Sequence, residues 1–147
     1  MSGTHHLDAN VILRFLLADD PGQSPQAKAL FDLAQAGRAT LFISHVTLAE
    51  VSWVLLSFYN FERGVLAAAL RDLLLHDGVE VDDRSVMLDT FDRFGKVNVD
   101  FIDCYTAALA KDRGCSVVTE DRDFRKFTDV TTRKPGELVE SLKKRKD

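Results

Sequence analysis

The sequence predicts an α/β fold built on a short, mostly parallel sheet. Three observations lead there. Helical and strand patterns alternate along the chain without an internal repeat or a linker-like shift in composition, the pattern of helices laid over parallel strands. A very short strand, Thr4 to Leu7, runs straight into an amphipathic helix, with one carboxylate, Asp8, at the junction where parallel sheets bind ligands. The length of 147 residues, 46% hydrophobic and 29% charged, suits a single domain over residues 1–147 with a full core.

The elements follow in order. The helix after Asp8 carries Val11, Ile12, Phe15 and Leu16 on one side, and Asp19-Asp20-Pro21-Gly22 breaks it. Ser24 reads as an N-cap and Pro25 as a first-turn proline for a helix ending at Gly37. Ala39 to Ile43 is a second strand, and Ser44 caps the helix from His45 to Tyr59. That helix is apolar nearly all round, the mark of a buried helix. A further helix from Glu62 to His76 stops at Asp77-Gly78. Val79 to Val81 is a third strand, and a helix from Asp83 to Phe94 is closed by Gly95. The next helix starts after Val99-Asp100, turns Phe101, Ile102, Tyr105, Ala108 and Leu109 inward, and ends at Arg113-Gly114. Ser116 to Thr119 is a β-branched run suited to a central strand. A weak strand near Val130 and a helix from Glu137 complete the chain.

Composition excludes several classes of protein. No apolar run approaches the roughly 18 to 20 residues of a membrane span. The first residues lack the pattern of a secretion signal, so a cytoplasmic location is expected. Cys104 and Cys115 form no metal-type pair and read as reduced thiols. The net charge of −4 argues against a nucleic-acid partner unless bound cations neutralise an acidic cluster. Basic residues gather late, at Arg122, Arg125, Lys126, Arg133 and Lys134, and in a solvated, frayed tail over 143–147.

The acids carry the chemistry. Asp8 follows the first strand and Asp121 follows the Val117-Val118-Thr119 strand, so parallel strands place both at one edge of the sheet. Asp100 and Asp103 share a helix face. Asp100 reads either as an N-cap or as a metal ligand, whereas Asp103 lies in the first turn of an apolar helix. Glu50 is the one acid of its apolar helix, and no Lys or Arg lies a turn away. Burying it unpaired costs several kcal/mol, so it needs a distant cation, a metal ion, or a helix edge that reaches water. Oxygen-only ligation suits Mg²⁺ or Mn²⁺ rather than zinc. His5 and His6 have no partner at metal-site spacing and read as strand residues.

These residues resemble a known family. Leu7-Asp8-Ala9-Asn10-Val11-Ile12-Leu13-Arg14, Leu48-Ala49-Glu50-Val51-Ser52-Trp53-Val54-Leu55, Asp100 to Ala110 and Thr119-Glu120-Asp121-Arg122-Asp123-Phe124 are similar, in order, to the four motifs of PIN-domain ribonucleases. The likeness is greatest to the VapC toxins of toxin–antitoxin modules. Cys104 stands where a small Ala is more usual, and Glu120 replaces a commonly apolar or aromatic residue.

The resemblance implies a three-layer α/β/α sandwich and Mg²⁺- or Mn²⁺-dependent hydrolysis of RNA. It puts the catalytic, metal-holding set at Asp8, Glu50, Asp103 and Asp121, with Asp8 and Asp103 as direct ligands. Asn10, Asp100, Thr119 and Asp123 are supporting positions, and Arg14 is a candidate phosphate contact or a solvated surface residue. Expected partners are the RNA substrate, a small VapB-like antitoxin and a second copy of the chain. Two alternatives stay open. One is a receiver-type signalling domain, although the acids at Asp82-Asp83 lack its matching Lys; the other is a PIN-like interaction module without nuclease activity.

Overall fold

The computed structural model describes residues 3–145 and has the α/β/α architecture expected. Three parallel strands, β1 (Thr4–His6), β2 (Thr40–Phe42) and β3 (Val79–Glu80), pair in the order β1-β2-β3, with His5 opposite Leu41 and Leu41 opposite Val79. A second parallel pair, β4 (Val117–Val118) and β5 (Thr132–Arg133), sets Val117 opposite Thr132. Among the described residues no ladder joins β4 to β1, so the sheet is in two pieces rather than one.

Among the described residues seven helices flank these strands: α1 (Ala9–Leu17), α2 (Gln23–Gln35), α3 (His45–Ser57), α4 (Arg63–Leu74), α5 (Arg84–Lys96), α6 (Phe101–Arg113) and α7 (Pro135–Lys143). α1 packs on α2 and α3, α3 reaches α4 and α6, and α5 lies between α4 and α6. Phe31, Leu41, Ile43, Leu48, Val51, Leu55, Leu70, Met87 and Phe91 are fully buried between these layers. Burial of this kind is the dominant favourable term in folding.

Several boundaries follow the local chemistry. Ser44 accepts a hydrogen bond from the Thr47 amide at 3.1 Å and caps α3 as expected. α6 ends at Gly114 in the left-handed conformation, also as expected. Ser24 does not cap α2. Asp20 takes that role, its Oδ1 accepting from the Gly22 and Gln23 amides at 2.9 and 2.8 Å, while buried Ser24 accepts from the Asp20 amide. Those amides hold the Asp20 carboxyl below its usual range. α7 starts at Pro135 rather than Glu137 and runs to Lys143; of the basic tail, Lys146 and Asp147 lie outside the described residues.

Gly95 does not close α5 but lies within it. A Cβ there would sit 2.9 Å from that of Ala67, so the glycine sets how closely α4 and α5 approach. Gly78 is more constrained. Its φ is +84°, and an added Cβ would lie 2.4 Å from the Ala34 carbonyl oxygen. Left-handed backbone strain and overpacking together make Gly78→Ala destabilising by about 2 to 5 kcal/mol. Urea denaturation measures this, and a loss below about 0.5 kcal/mol would contradict the packing.

Candidate active site

Asp8 leaves β1 directly. Buried Leu7 and Ala9 on either side pin the backbone, and the Leu7 amide donates to the Phe42 carbonyl at 2.9 Å, extending the ladder to the threshold of Asp8. The residue occupies the N-cap position of α1, yet its side chain makes no cap hydrogen bond and stays exposed. Asn10, within α1, is exposed and does not cap the helix.

Glu50 enters the same cleft, of about 470 Å³, which Asp8, Asn10, Arg14, Val54 and Tyr59 also line. The expectation of a helix buried all round is corrected here. Val46, Glu50, Trp53 and Ser57 form one exposed face of α3, with Val46 79% and Trp53 60% exposed. Leu48, Val51, Ser52 and Leu55 point into the core. Glu50 therefore reaches water and needs no buried counter-charge. The spacing of Glu50 and Ser57, seven residues apart on one helical face, was the available signal.

Among the described residues Arg14 is the cation lining this cleft. Its guanidinium is paired with Asp19 at 3.0 Å and donates to the Tyr59 hydroxyl at 3.4 Å. Both interactions favour its charged form. Tyr59 was not singled out by the sequence, because nothing local links it to a residue 45 positions earlier.

Asp103 and Asp100 face a neighbouring cleft of about 330 Å³, whose other wall is Ala49, Ser52, Trp53 and Leu56 of α3. α3 thus contributes to both clefts. Asp100 stands at the N-cap position of α6 without a side-chain cap bond. The inward set expected for α6 also needs correction at two positions: Leu109 is only half-buried and outside the core cluster, and Ile102 is 59% exposed, lining this cleft instead of the core.

Asp121 follows β4 and starts a 3₁₀ turn over Arg122–Lys126. Its amide donates to Thr119 Oγ1 and its Oδ1 accepts from the Asp123 amide, both at 2.9 Å. Phe124 and Phe127 anchor the turn in the core. Lys126 lies 3.7 Å from Asp123 and donates to the Asn98 carbonyl. Arg93 of α5 holds the following segment through a bidentate pair with Asp129, at 2.8 and 2.6 Å.

Electrostatics link this turn to α6. The Asp103 carboxyl is pushed above its usual range, first by desolvation and then by the charges of Asp121, Asp100 and Asp123. Behind it, Cys104 is fully buried and its thiol is pushed up to about 12, chiefly by desolvation. Cys115 is exposed, and both cysteines are free.

Asp8 and Glu50 thus line one cleft and Asp100 and Asp103 the next, and the charges of Asp121 and Asp123 bear on Asp103. Among the described residues no three His, Cys, Asp or Glu side chains come together as a ready metal cage. The donors nonetheless fit a hard divalent cation, since they are all carboxylates and Asp103 suffers repulsion that a cation would relieve. Mg²⁺ typically uses one or two carboxylates, retaining water and binding substrate phosphate.

The family model described as PIN domain matches residues 6–130. The chain belongs to the PIN domain family. No curated protein matches it. PIN domains are generally nucleases that act on nucleic acid, and they typically bind divalent metal ions. Membership sets aside the receiver-type alternative. The matched region spans all four acidic motifs, from just before Asp8 to just beyond Asp123. Among the described residues of this PIN domain, no helix is long and apolar enough to cross a membrane.

Proposed function

We propose that this PIN domain, taken as one unit over residues 1–147, is a Mg²⁺- or Mn²⁺-dependent endoribonuclease. We further propose that it is the VapC-type toxin of a type II toxin–antitoxin pair. The supporting observation is that, within a nuclease family, Asp8 and Glu50 share a cleft and α3 also lines the neighbouring one, which bears Asp100 and Asp103.

Asp8 in one cleft and Asp103 in the next would be the direct ligands of one or two cations, with Glu50 and Asp121 either joining them or orienting the attacking water. A divalent ion supplies Lewis acidity toward the phosphodiester and lowers the pKa of water. The chain supplies the rest. Leu7, Ala9 and Ile12 fix Asp8 to the sheet, and the Thr119–Asp121–Asp123 hydrogen bonds hold the fourth motif in shape. Arg14 contacts the RNA backbone at the Asp8–Glu50 cleft, where it is the lining cation. The toxin would work in the cytoplasm as a homodimer and be silenced by a VapB-like antitoxin.

Two assays test this reading. The purified chain should cut single-stranded RNA internally with Mg²⁺ or Mn²⁺ and stop when EDTA is added. Its expression should arrest growth unless the small protein encoded beside it is co-expressed. RNA left intact with either metal would overturn the nuclease; harmless expression of an active enzyme would overturn the toxin alone.

A further inference from the structure

The cleft between α3 and α6 carries more than acids. Trp53 forms one wall at 60% exposure and Ile102 lies opposite at 59%. Large apolar side chains left in water beside a reaction centre are a common sign of a binding surface. The indole is already braced, with the Phe58 ring 5.5 Å away and nearly perpendicular at 79°. Such bracing restrains the ring before any ligand arrives, which reduces the ordering cost of binding.

The polar groups of the cleft narrow the choice of occupant. Ser52 donates its hydroxyl to the Leu48 carbonyl at 2.7 Å and is committed. Asp100 and Asp103 remain, both acceptors when ionised, and among the described residues no Lys or Arg lines the cleft. Without a bound cation these acids repel phosphate, so the part of a nucleic acid that fits between Trp53 and Ile102 is not its backbone. An apolar side chain from a protein partner would cover the two carboxylates without pairing them, which is costly. A flat group with apolar faces and N–H donors at its edge satisfies both the ring and the acids. The volume of about 330 Å³ falls at the small end of ligand clefts.

We infer that this cleft is a base subsite, in which one unpaired nucleobase of the RNA substrate stacks on Trp53 beside the carboxylates that act on the phosphodiester. The inference rests on the nuclease reading above. Stacking tolerates any base but requires an unpaired one, so the subsite selects single-stranded over duplex RNA.

The chain contains a single tryptophan, so emission excited selectively at the indole reports on Trp53. An unlabelled ten-nucleotide oligoadenylate titrated in EDTA should quench that emission to saturation, while an abasic strand of equal length leaves it unchanged. Binding of the same strand is followed independently by anisotropy with an end label. In Mg²⁺, Trp53→Ala should raise KM for cleavage roughly 5- to 150-fold with kcat little changed. Trp53→Phe should retain most of the affinity, and the exposure of the position keeps both variants folded.

RNA that binds by anisotropy without quenching, or a Trp53→Ala enzyme with unaltered KM, overturns the subsite while leaving the nuclease intact. Emission that shifts with protein concentration alone would make the cleft an interface between copies and also overturn it. A chain that neither binds nor cuts RNA overturns the nuclease reading, and the subsite with it.

Discussion

Asp103→Asn is expected to abolish metal-dependent RNA cleavage, by more than about 100-fold, while raising the melting temperature of the metal-free protein. Both effects have one cause. Asp103 is partly desolvated and faces the charges of Asp121, Asp100 and Asp123, so its ionised form is strained in the absence of a cation. An amide keeps the shape and removes the repulsion. It also removes the charge that a divalent ion needs.

The pH dependence follows from the direction of the shift. A carboxyl raised above its ordinary value of 3.8 binds its proton more tightly in the folded state. The stability it contributes is fully present below that ordinary value and is lost as pH rises through the raised one. The gap in melting temperature between Asp103→Asn and the wild type should therefore be small in acid and widen toward neutrality. Asp129, lowered by its bond to Arg93, follows the opposite trend, with stability present above its ordinary value and lost on acidification. Both proteins keep that pair, so it cancels in the comparison. Adding Mg²⁺ should raise the melting temperature of the wild type and leave the variant nearly unchanged. Cleavage retained by the variant in Mn²⁺ would remove Asp103 from the site.

The second large effect lies outside the acids. Arg63 opens α4 and spans to the loop that delivers α6, donating to the carbonyls of Phe94, Val97 and Val99 while its guanidinium stacks 4.0 Å over the Phe94 ring. One side chain thus shapes the turn immediately before Asp100. Arg63→Ala is expected to cost about 2 to 4 kcal/mol, because it leaves three part-buried carbonyls without their charged donor. Arg63→Lys should recover little, since a point ammonium cannot serve three acceptors as a planar fork does. Activity at temperatures where the variant is folded should also fall, since displacing a catalytic group by about 1 Å costs on the order of 100-fold. Chemical denaturation gives the first quantity and kcat the second. Wild-type values for both would show that the loop holds its shape by itself.

Much of the fold could be read locally. The alternation of elements, the Ser44 cap, the Gly114 stop and the position of Asp8 at a strand-to-helix junction depend on neighbours within a few residues. Other features do not. Ser24 and Asp20 both had the chemistry of a cap, and the choice between them depended on burial of Ser24 against the body of the domain. Gly95 looked like a stop signal but is a contact residue, because Ala67 of another helix lies against it.

The site divides in the same way. The sequence by itself determined which acids stand at element ends and that they are all oxygen donors, because capping, turn chemistry and charge are local properties. Tertiary structure alone decided their grouping. α3 lines both clefts, so Glu50 shares one with Asp8 while Trp53, one turn on, shares the other with Asp103. An apolar helix has no preferred side until its neighbours are in place. Packing against α1, α4 and α6 buried Leu48, Val51 and Leu55 and left Val46, Glu50 and Trp53 in water.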